Sequence, residues 1–123
     1  MRWIFPALLL AALAATSPVV TQAVQADALQ EARRLTWDRT TRAEGITGLR
    51  RLLGENPERL EVREALAEVL SWADATRPEA ITLLREVLDR DPTRDRARLL
   101  LAEILSWDRE SRAESESLYR EQL

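Results

Sequence analysis

The chain has 123 residues and a formal net charge of −3, and it contains no Cys and no His. Without these residues it has no disulfides, no thiol or imidazole catalysis and almost none of the zinc and iron sites known in proteins. Its acidic residues alternate with 18 basic residues, all Arg, so there is no basic block to bind nucleic acid. The abundance of Ala, Leu, Glu and Arg favours helices, and we expect no cofactor.

The segment 1–26 differs in composition from the rest of the chain. One Arg precedes an apolar run over 3–15, and the segment ends in Val-Gln-Ala, which fits the small residues at a signal-peptide cleavage site. We therefore expect residues 1–26 to be a signal peptide, Asp27 to begin the mature domain 27–123, and the protein to be exported, most simply to the periplasm. The alternative is an uncleaved membrane anchor, although the apolar run is short against the ~20 residues that cross a bilayer. After cleavage no membrane span is expected.

The rest of the chain repeats itself every 35 residues. Trp37, Trp72 and Trp107 stand at this interval, each preceded by Leu and Ser or Thr. The first unit and the second are identical at 16 of 35 positions, and the partial third matches the start of the second at 9 of 19. The units are 35–69, 70–104 and 105–123. A fixed interval of this size predicts a helical repeat protein.

Apolar residues at helical spacing predict two helices in each unit. The first pattern comprises Val62, Ala65, Leu66, Val69 and Leu70, and then Ala97, Leu100, Leu101, Ile104 and Leu105. The second pattern comprises Ile46, Leu49, Leu52 and Leu53, and then Ala80, Ile81, Leu84, Val87 and Leu88. The fold class is therefore all-α, with antiparallel helix pairs stacked as a short solenoid of about two and a half repeats.

Short motifs mark where these helices begin and end. Thr41–Glu44, Thr76–Glu79 and Ser111–Glu114 fit the capping box, in which the hydroxyl caps a backbone N–H and the Glu reaches back to the cap. Asn56-Pro57 and Asp91-Pro92 should end the second helices, because a residue before Pro disfavours the α conformation.

This 35-residue helix pair resembles a tetratricopeptide repeat. The likeness rests on Ala67 or Ala102 in the first helix, Ala80 opening the second and Asp91-Pro92 closing it. "LSW" followed by "REVLDRDP" resembles the divergent repeats of periplasmic proteins in bacterial exopolysaccharide export, among them the cellulose synthase outer-membrane component. The resemblance covers about residues 28–123 and implies a scaffold that binds another protein or peptide.

The terminal units depart from this pattern. Gly45 and Ser115 stand where the middle unit has Ala80, and Glu116 replaces Ile81. The last helix would present Leu118, Tyr119 and Leu123 with nothing stacked upon them. We therefore expect fraying after about Ser111, together with either self-association through this end or a continuation of the chain. A truncated piece of a longer repeat protein without independent function is the alternative to a binding module.

Two hypotheses account for the repeated Trp residues. Each indole packs over the helix corner against the neighbouring pair, or each lines a groove formed by the first helices and anchors a ligand. Architecture is favoured, because the Trp recurs in every unit. Under that hypothesis Trp72→Ala costs about 2–4 kcal/mol.

The resemblance also implies which residues line the groove. They are Glu61, Glu64, Glu68 and Trp72 of one first helix, and Arg96, Leu99, Glu103 and Trp107 of the next. Such a groove is mixed in charge, mainly acidic toward its N-terminal end, and suits a peptide with Arg or Lys beside an apolar anchor. The alternative for the Glu residues is a solvated helix face.

No motif in the sequence indicates an enzyme. Asp89, Asp91 and Asp95 have the spacing of a calcium loop, but Arg94 and Leu100 stand where such a loop needs Gly and Glu. No Gly-rich phosphate loop or nucleophile elbow is present, which leaves a carboxylate-only hydrolase as the remaining enzymatic alternative. We predict that the protein is not an enzyme and binds no metal.

Overall fold

A computed structural model describes residues 17–107 and 112–122 of the chain. Over these residues the chain is all-helical and has no strand, which confirms the predicted fold class. The six helices are α1 (Pro18–Trp37), α2 (Arg42–Glu55), α3 (Leu60–Leu70), α4 (Arg77–Arg90), α5 (Asp95–Ser106) and α6 (Arg112–Arg120).

The helices pack as three successive pairs. Within each pair the two helices make their most extensive contacts with each other: α1 with α2, α3 with α4, and α5 with α6. The pairs are linked where α2 meets α3 and where α4 meets α5, and α1 also touches α3. Adjacent helices thus pack side by side in a helical-repeat arrangement.

The core runs through all three pairs along the faces that the apolar spacing predicts. Leu49, Leu66, Leu84 and Leu101, one from each of the helices α2 to α5, are almost completely buried. Ala67 and Ala80 are also fully buried. Burial of each Leu side chain contributes about 1.5–3 kcal/mol to the free energy of folding, and this burial is the main force that holds neighbouring helices together.

The ends of α2 and α4 agree with the predicted turns, but the two predicted capping boxes that lie within the described residues are wrong. Asn56 and Asp91 are the C-caps of α2 and α4, as expected. Thr41 and Thr76 precede α2 and α4 without accepting a cap hydrogen bond, since their backbone is already helical (φ −110° and −104°). The third predicted box begins at Ser111, which lies outside the described residues.

The two Thr hydroxyls instead tie each helix start to the end of the preceding helix. Thr41 Oγ1 donates to the carbonyl of Leu35 at 2.7 Å, and Thr76 Oγ1 donates to the carbonyl of Leu70 at 2.6 Å. These bonds satisfy carbonyls that a helix C-terminus leaves without an intrahelical partner. The Thr is thus a clamp across the turn within each of the first two helix pairs.

Gly45 and Ser115, which depart from the repeat pattern, each have a packing role. A Cβ on Gly45 would lie 2.6 Å from Thr36 Cγ2 and 2.8 Å from the carbonyl oxygen of Ala32, so only Gly allows α2 to approach α1 this closely. Ser115 is buried, and its hydroxyl donates to the carbonyl of Ala102 at 2.7 Å. Both residues therefore fit close helix contacts at their positions.

The predicted signal peptide overlaps the described residues only in part. Its apolar run over 3–15 lies outside them, while α1 begins at Pro18 and continues without a break past the predicted cleavage point before Asp27. Nearly all residues of α1 before Asp27 are exposed, and its first buried residue is Ala32. Cleavage at Asp27 stays a prediction, and it would remove no buried residue of the described core.

Candidate interaction surface

The three repeated Trp residues lie at the ends of the first helices. Trp37 is the last residue of α1, Trp72 follows the end of α3, and Trp107 is the C-cap of α5. Their exposed fractions are 65%, 38% and 52%, respectively. None of the three indoles is therefore fully buried at its helix corner, whereas the contact between Trp37 and Trp72 agrees with packing on the neighbouring helix pair. The choice between packing and ligand anchoring stays a prediction.

Each Trp nevertheless has defined neighbours. The ring centroids of Trp37 and Trp72 are 5.3 Å apart with the planes tilted by 46°, within the range for favourable aromatic pairs. The guanidinium of Arg42 lies 5.0 Å from the Trp72 ring centroid, and that of Arg77 lies 4.8 Å from the Trp107 ring centroid. At these distances the cation is attracted to the ring face.

The same Arg side chains are fixed by the backbone. Arg42 Nε donates to the carbonyl of Thr36 at 2.9 Å, and Arg77 Nε donates to the carbonyl of Ser71 at 3.3 Å. Each guanidinium therefore joins the end of one first helix to the Trp of the next. The result is a row of exposed indoles and half-buried Arg side chains along one edge of the stack, which we call the Trp–Arg row (Trp37, Arg42, Trp72, Arg77 and Trp107).

Four of the eight predicted groove residues meet at one surface depression between α3 and α5. Its volume is about 450 Å³, and it is lined by Glu68, Arg96, Leu99, Leu100 and Glu103. Arg96 donates to Glu68 at 2.6 Å, which leaves Glu103 as the exposed acid and Leu99 as the exposed apolar side chain of this depression. A ligand here would meet one acidic and one apolar group side by side.

The other predicted groove residues lie elsewhere. Glu64 is 4% exposed and forms an ion pair with Arg94. The prediction that Glu64 lines the groove is therefore wrong, because this carboxylate is unavailable to a ligand. The hydrogen bond from Arg94 to Glu64 raises the pKa of the Arg94 guanidinium. Glu61 is exposed and lines a separate depression that also contains Arg94. Because Glu64 and Glu68 are both paired with Arg, the face is less acidic than the sequence suggested.

Trp72 and Trp107 also lie outside the depression between α3 and α5. Trp107 lines a smaller depression of about 210 Å³ with Arg77, Pro78 and Ile81 of α4. Trp37 lines another, of about 460 Å³, with Gln30, Arg33 and Arg34. The predicted groove did not include the basic residues of α1. The repeat interval could have indicated Arg33, because it stands 35 residues before Glu68 and therefore falls on the same face.

Two ion pairs join the second helices of successive repeats. The two terminal nitrogens of Arg50 donate hydrogen bonds to the two carboxylate oxygens of Glu79, at 2.5 and 3.0 Å. Those of Arg85 donate to Glu114 in the same way, at 2.6 and 3.1 Å. These bonds hold the pKa of the Glu79 carboxyl below its ordinary value and raise the pKa of both Arg side chains. The sequence contained the signal, because both Arg and both Glu recur at the 35-residue interval.

Comparison with known protein families finds no matching family model, and no curated protein matches the chain. Its class is therefore defined by the fold: an all-α protein of stacked helix pairs. Within residues 17–107 and 112–122 no group of three or more acidic side chains is arranged to hold a metal ion. No helix of this part of the chain is long and apolar enough to cross a membrane.

Proposed function

We propose that the protein is an exported binding module of the tetratricopeptide type, which holds another protein or a peptide as a scaffold in the cell envelope. The observation that carries the proposal is the exposed Trp–Arg row. Trp and Arg are the residue types most enriched among the energetically dominant residues of protein interfaces. The three indoles are exposed and are not among the residues of the hydrophobic core cluster.

The depression between α3 and α5 supplies the ligand chemistry. Leu99 is 43% exposed and would contact an apolar side chain of the ligand, and Glu103 would pair with an Arg or Lys next to it. An extended or helical peptide with that combination matches the surface in shape and charge. A scaffold role in polysaccharide export is proposed from the likeness of "LSW" and "REVLDRDP" to the repeats of that group.

Binding is tested by capture from a periplasmic extract with four forms of the chain. The wild type is compared with Leu99→Ser, with Glu103→Arg and with the control Asp89→Arg, which changes an exposed residue of α4 away from the depression. We expect at least one protein other than the chain itself to be held by the wild type and the control and lost by both depression variants. Identical captured sets for all four forms would refute binding at this surface.

Export is tested by intact-mass spectrometry of the protein from its own cells. The expected mass begins at Asp27, in the soluble periplasmic fraction. A mass that retains residues 1–26, recovered with the membranes, would favour the anchor instead.

A further inference from the structure

The ion pairs between second helices form a series with a constant step. Arg50 of α2 binds Glu79 of α4, and Arg85 of α4 binds Glu114 of α6. Both the donors and the acceptors are 35 residues apart, so the same bidentate contact is made twice in the same orientation. Each pair runs from one helix pair to the next along the stack.

The contacts between Arg and Trp form a second series with the same step. Arg42, at the start of α2, lies over Trp72, and Arg77, at the start of α4, lies over Trp107. Here too the cation comes from the earlier helix pair and the ring from the later one. The two series therefore have the same polarity, with cations directed toward the C-terminal end of the stack.

At the C-terminal end of the stack each series has a further cation, and at the N-terminal end each has a further acceptor of the same kind. The next cations in order are Arg120 and Arg112 on α6, and both are exposed. The preceding acceptors are Glu44 on α2, which is exposed, and Trp37, the most exposed of the three repeated indoles. Among the described residues neither Arg120 nor Glu44 makes an ion pair.

Apolar surface is uncovered at the same two ends. On α6, Tyr119 is 43% exposed, although the residues at its position in the earlier repeats, Leu49 and Leu84, are fully buried. At the other end α1 and α2 enclose a depression of about 770 Å³, larger than the others described above. Its lining is mainly apolar and includes Ala28, Ala32, Leu35, Gly48 and Leu52, together with Glu44.

We propose that a second copy of this chain stacks head to tail on these ends. Arg120 of one copy would bind Glu44 of the next, Arg112 would lie over the next Trp37, and Tyr119 would enter the depression between α1 and α2. The five side chains named for this contact all follow Asp27, whereas Val24, which also lines the depression, precedes Asp27 and would be removed by signal-peptide cleavage. Because different surfaces meet, the interface is heterologous and generates open chains of copies rather than a symmetric dimer.

The test uses charge reversal at the two ends. Glu44→Arg and Arg120→Glu each place like charges across the contact, and we expect each to weaken self-association by roughly tenfold or more. Mixing the two variants in equal amounts creates an Arg–Glu pair at both kinds of junction, so the mixture should associate like the wild type. The readout is sedimentation velocity over a wide range of concentrations, with the fold of every variant checked by circular dichroism.

Asp89→Arg is the matched control, since it changes the charge as Glu44→Arg does at an exposed position of the middle pair. We expect the control to form concentration-dependent species larger than dimers, as the wild type does. A wild type that is monomeric at millimolar concentration, association that stops at a dimer, or a mixture that stays as weak as its two components would each overturn the proposal. The substitutions lie on the second helices, away from Leu99 and Glu103, so failure here is distinguishable from failure of peptide binding.

Discussion

Glu64 is the most deeply buried charged residue among those predicted for the groove, and its ion pair with Arg94 bridges α3 to the segment that precedes α5. The side chain of Arg94 is 26% exposed, so water screens the pair only in part. Removing one partner of such a pair leaves an uncompensated buried charge, which costs far more than the pair contributes. In the next repeat Leu99 stands at the position of Glu64, so the repeat pattern has an apolar residue there as well as a charged one.

Arg94→Met should therefore lower the free energy of unfolding by about 2–4 kcal/mol, and the double variant Glu64→Leu with Arg94→Met should recover most of that loss. The control is Arg96→Met, because the Arg96–Glu68 pair is more exposed and should contribute less than about 1 kcal/mol. Urea unfolding measures all three. If Arg94→Met were no more costly than Arg96→Met, the carboxylate of Glu64 would not be buried in solution.

Trp72 is the least exposed indole of the Trp–Arg row, and it contacts both Trp37 and Arg42. Trp72→Ala should cost about 1 kcal/mol through loss of the aromatic and cation contacts, less than the 2–4 kcal/mol of a packed corner. Trp37→Ala, which removes the more exposed partner of the same ring pair, should cost less. Chemical unfolding of both variants checks this. A loss of 3 kcal/mol or more for Trp72→Ala would favour the packed hypothesis.

The ion pair between α2 and α4 makes stability depend on pH. Arg50 holds the pKa of Glu79 below its ordinary value of 4.5. A lowered folded pKa stabilises the fold above pH 4.5, and this contribution is lost as the pH falls through the folded pKa. Because the pair is about half exposed, the contribution at pH 7 should be only about 0.5–1 kcal/mol.

The measurement compares the wild type with Glu79→Gln by urea unfolding of dilute protein from pH 7 to pH 3. We expect the difference in the free energy of unfolding between the two proteins to be largest at neutral pH and to disappear below about pH 4.5. The control is Glu44→Gln, since Glu44 also lies in the first turn of its helix but has no ion-pair partner in the described part of the chain. A gap for Glu79→Gln that persisted unchanged at pH 3 would show that the ion pair is not its cause.

The contact between α1 and α2 depends on Gly45. None of the three Gly residues has a positive φ. The effect of replacing each by Ala on stability is therefore set by the space available for a Cβ and by helix propensity. Gly45→Ala should destabilise by about 1–3 kcal/mol, because the new methyl group meets the backbone of α1. Gly54→Ala is the matched control in the same helix: its Cβ meets nothing within 4 Å, so it should stabilise by about 0.5–1 kcal/mol. Equal effects in thermal unfolding would contradict the close approach.

At the level of the helices, the sequence predicts what depends on local spacing. The buried faces of α3 and α5 and the ends of α2 and α4 follow from apolar periodicity and from Pro57 and Pro92. The role of the Thr residues was not predictable, because a hydroxyl at a helix start can cap its own helix or clamp the previous one. The choice depends on how tightly the pair turns, and that is a tertiary property.

At the level of the whole molecule, the candidate surface was predicted only in part. Helical spacing placed Glu61, Glu64 and Glu68 on one face, but it could not show that Arg94 reaches Glu64 from the following helix pair. Burial of one Glu and pairing of another depend on the separation between α3 and α5. The Trp residues were assigned by recurrence to the architecture; in the first two helix pairs the Thr hydroxyl, and not the indole, bonds across the turn.

The last prediction concerns the gradient of stability along the stack. Eight of the eleven residues of α3 are buried, whereas Ser115 is the buried residue of α6. Solenoid helices are stabilised mainly by their neighbours, and α3 contacts α1, α2 and α4. In a dilute monomeric sample, amide hydrogen exchange should therefore be slowest in α3 and α4, and at least about tenfold faster over residues 112–122. Raising the concentration should slow exchange in α6 if copies stack there. Uniform strong protection through α6 in the monomer would show that this helix is as stable as the core.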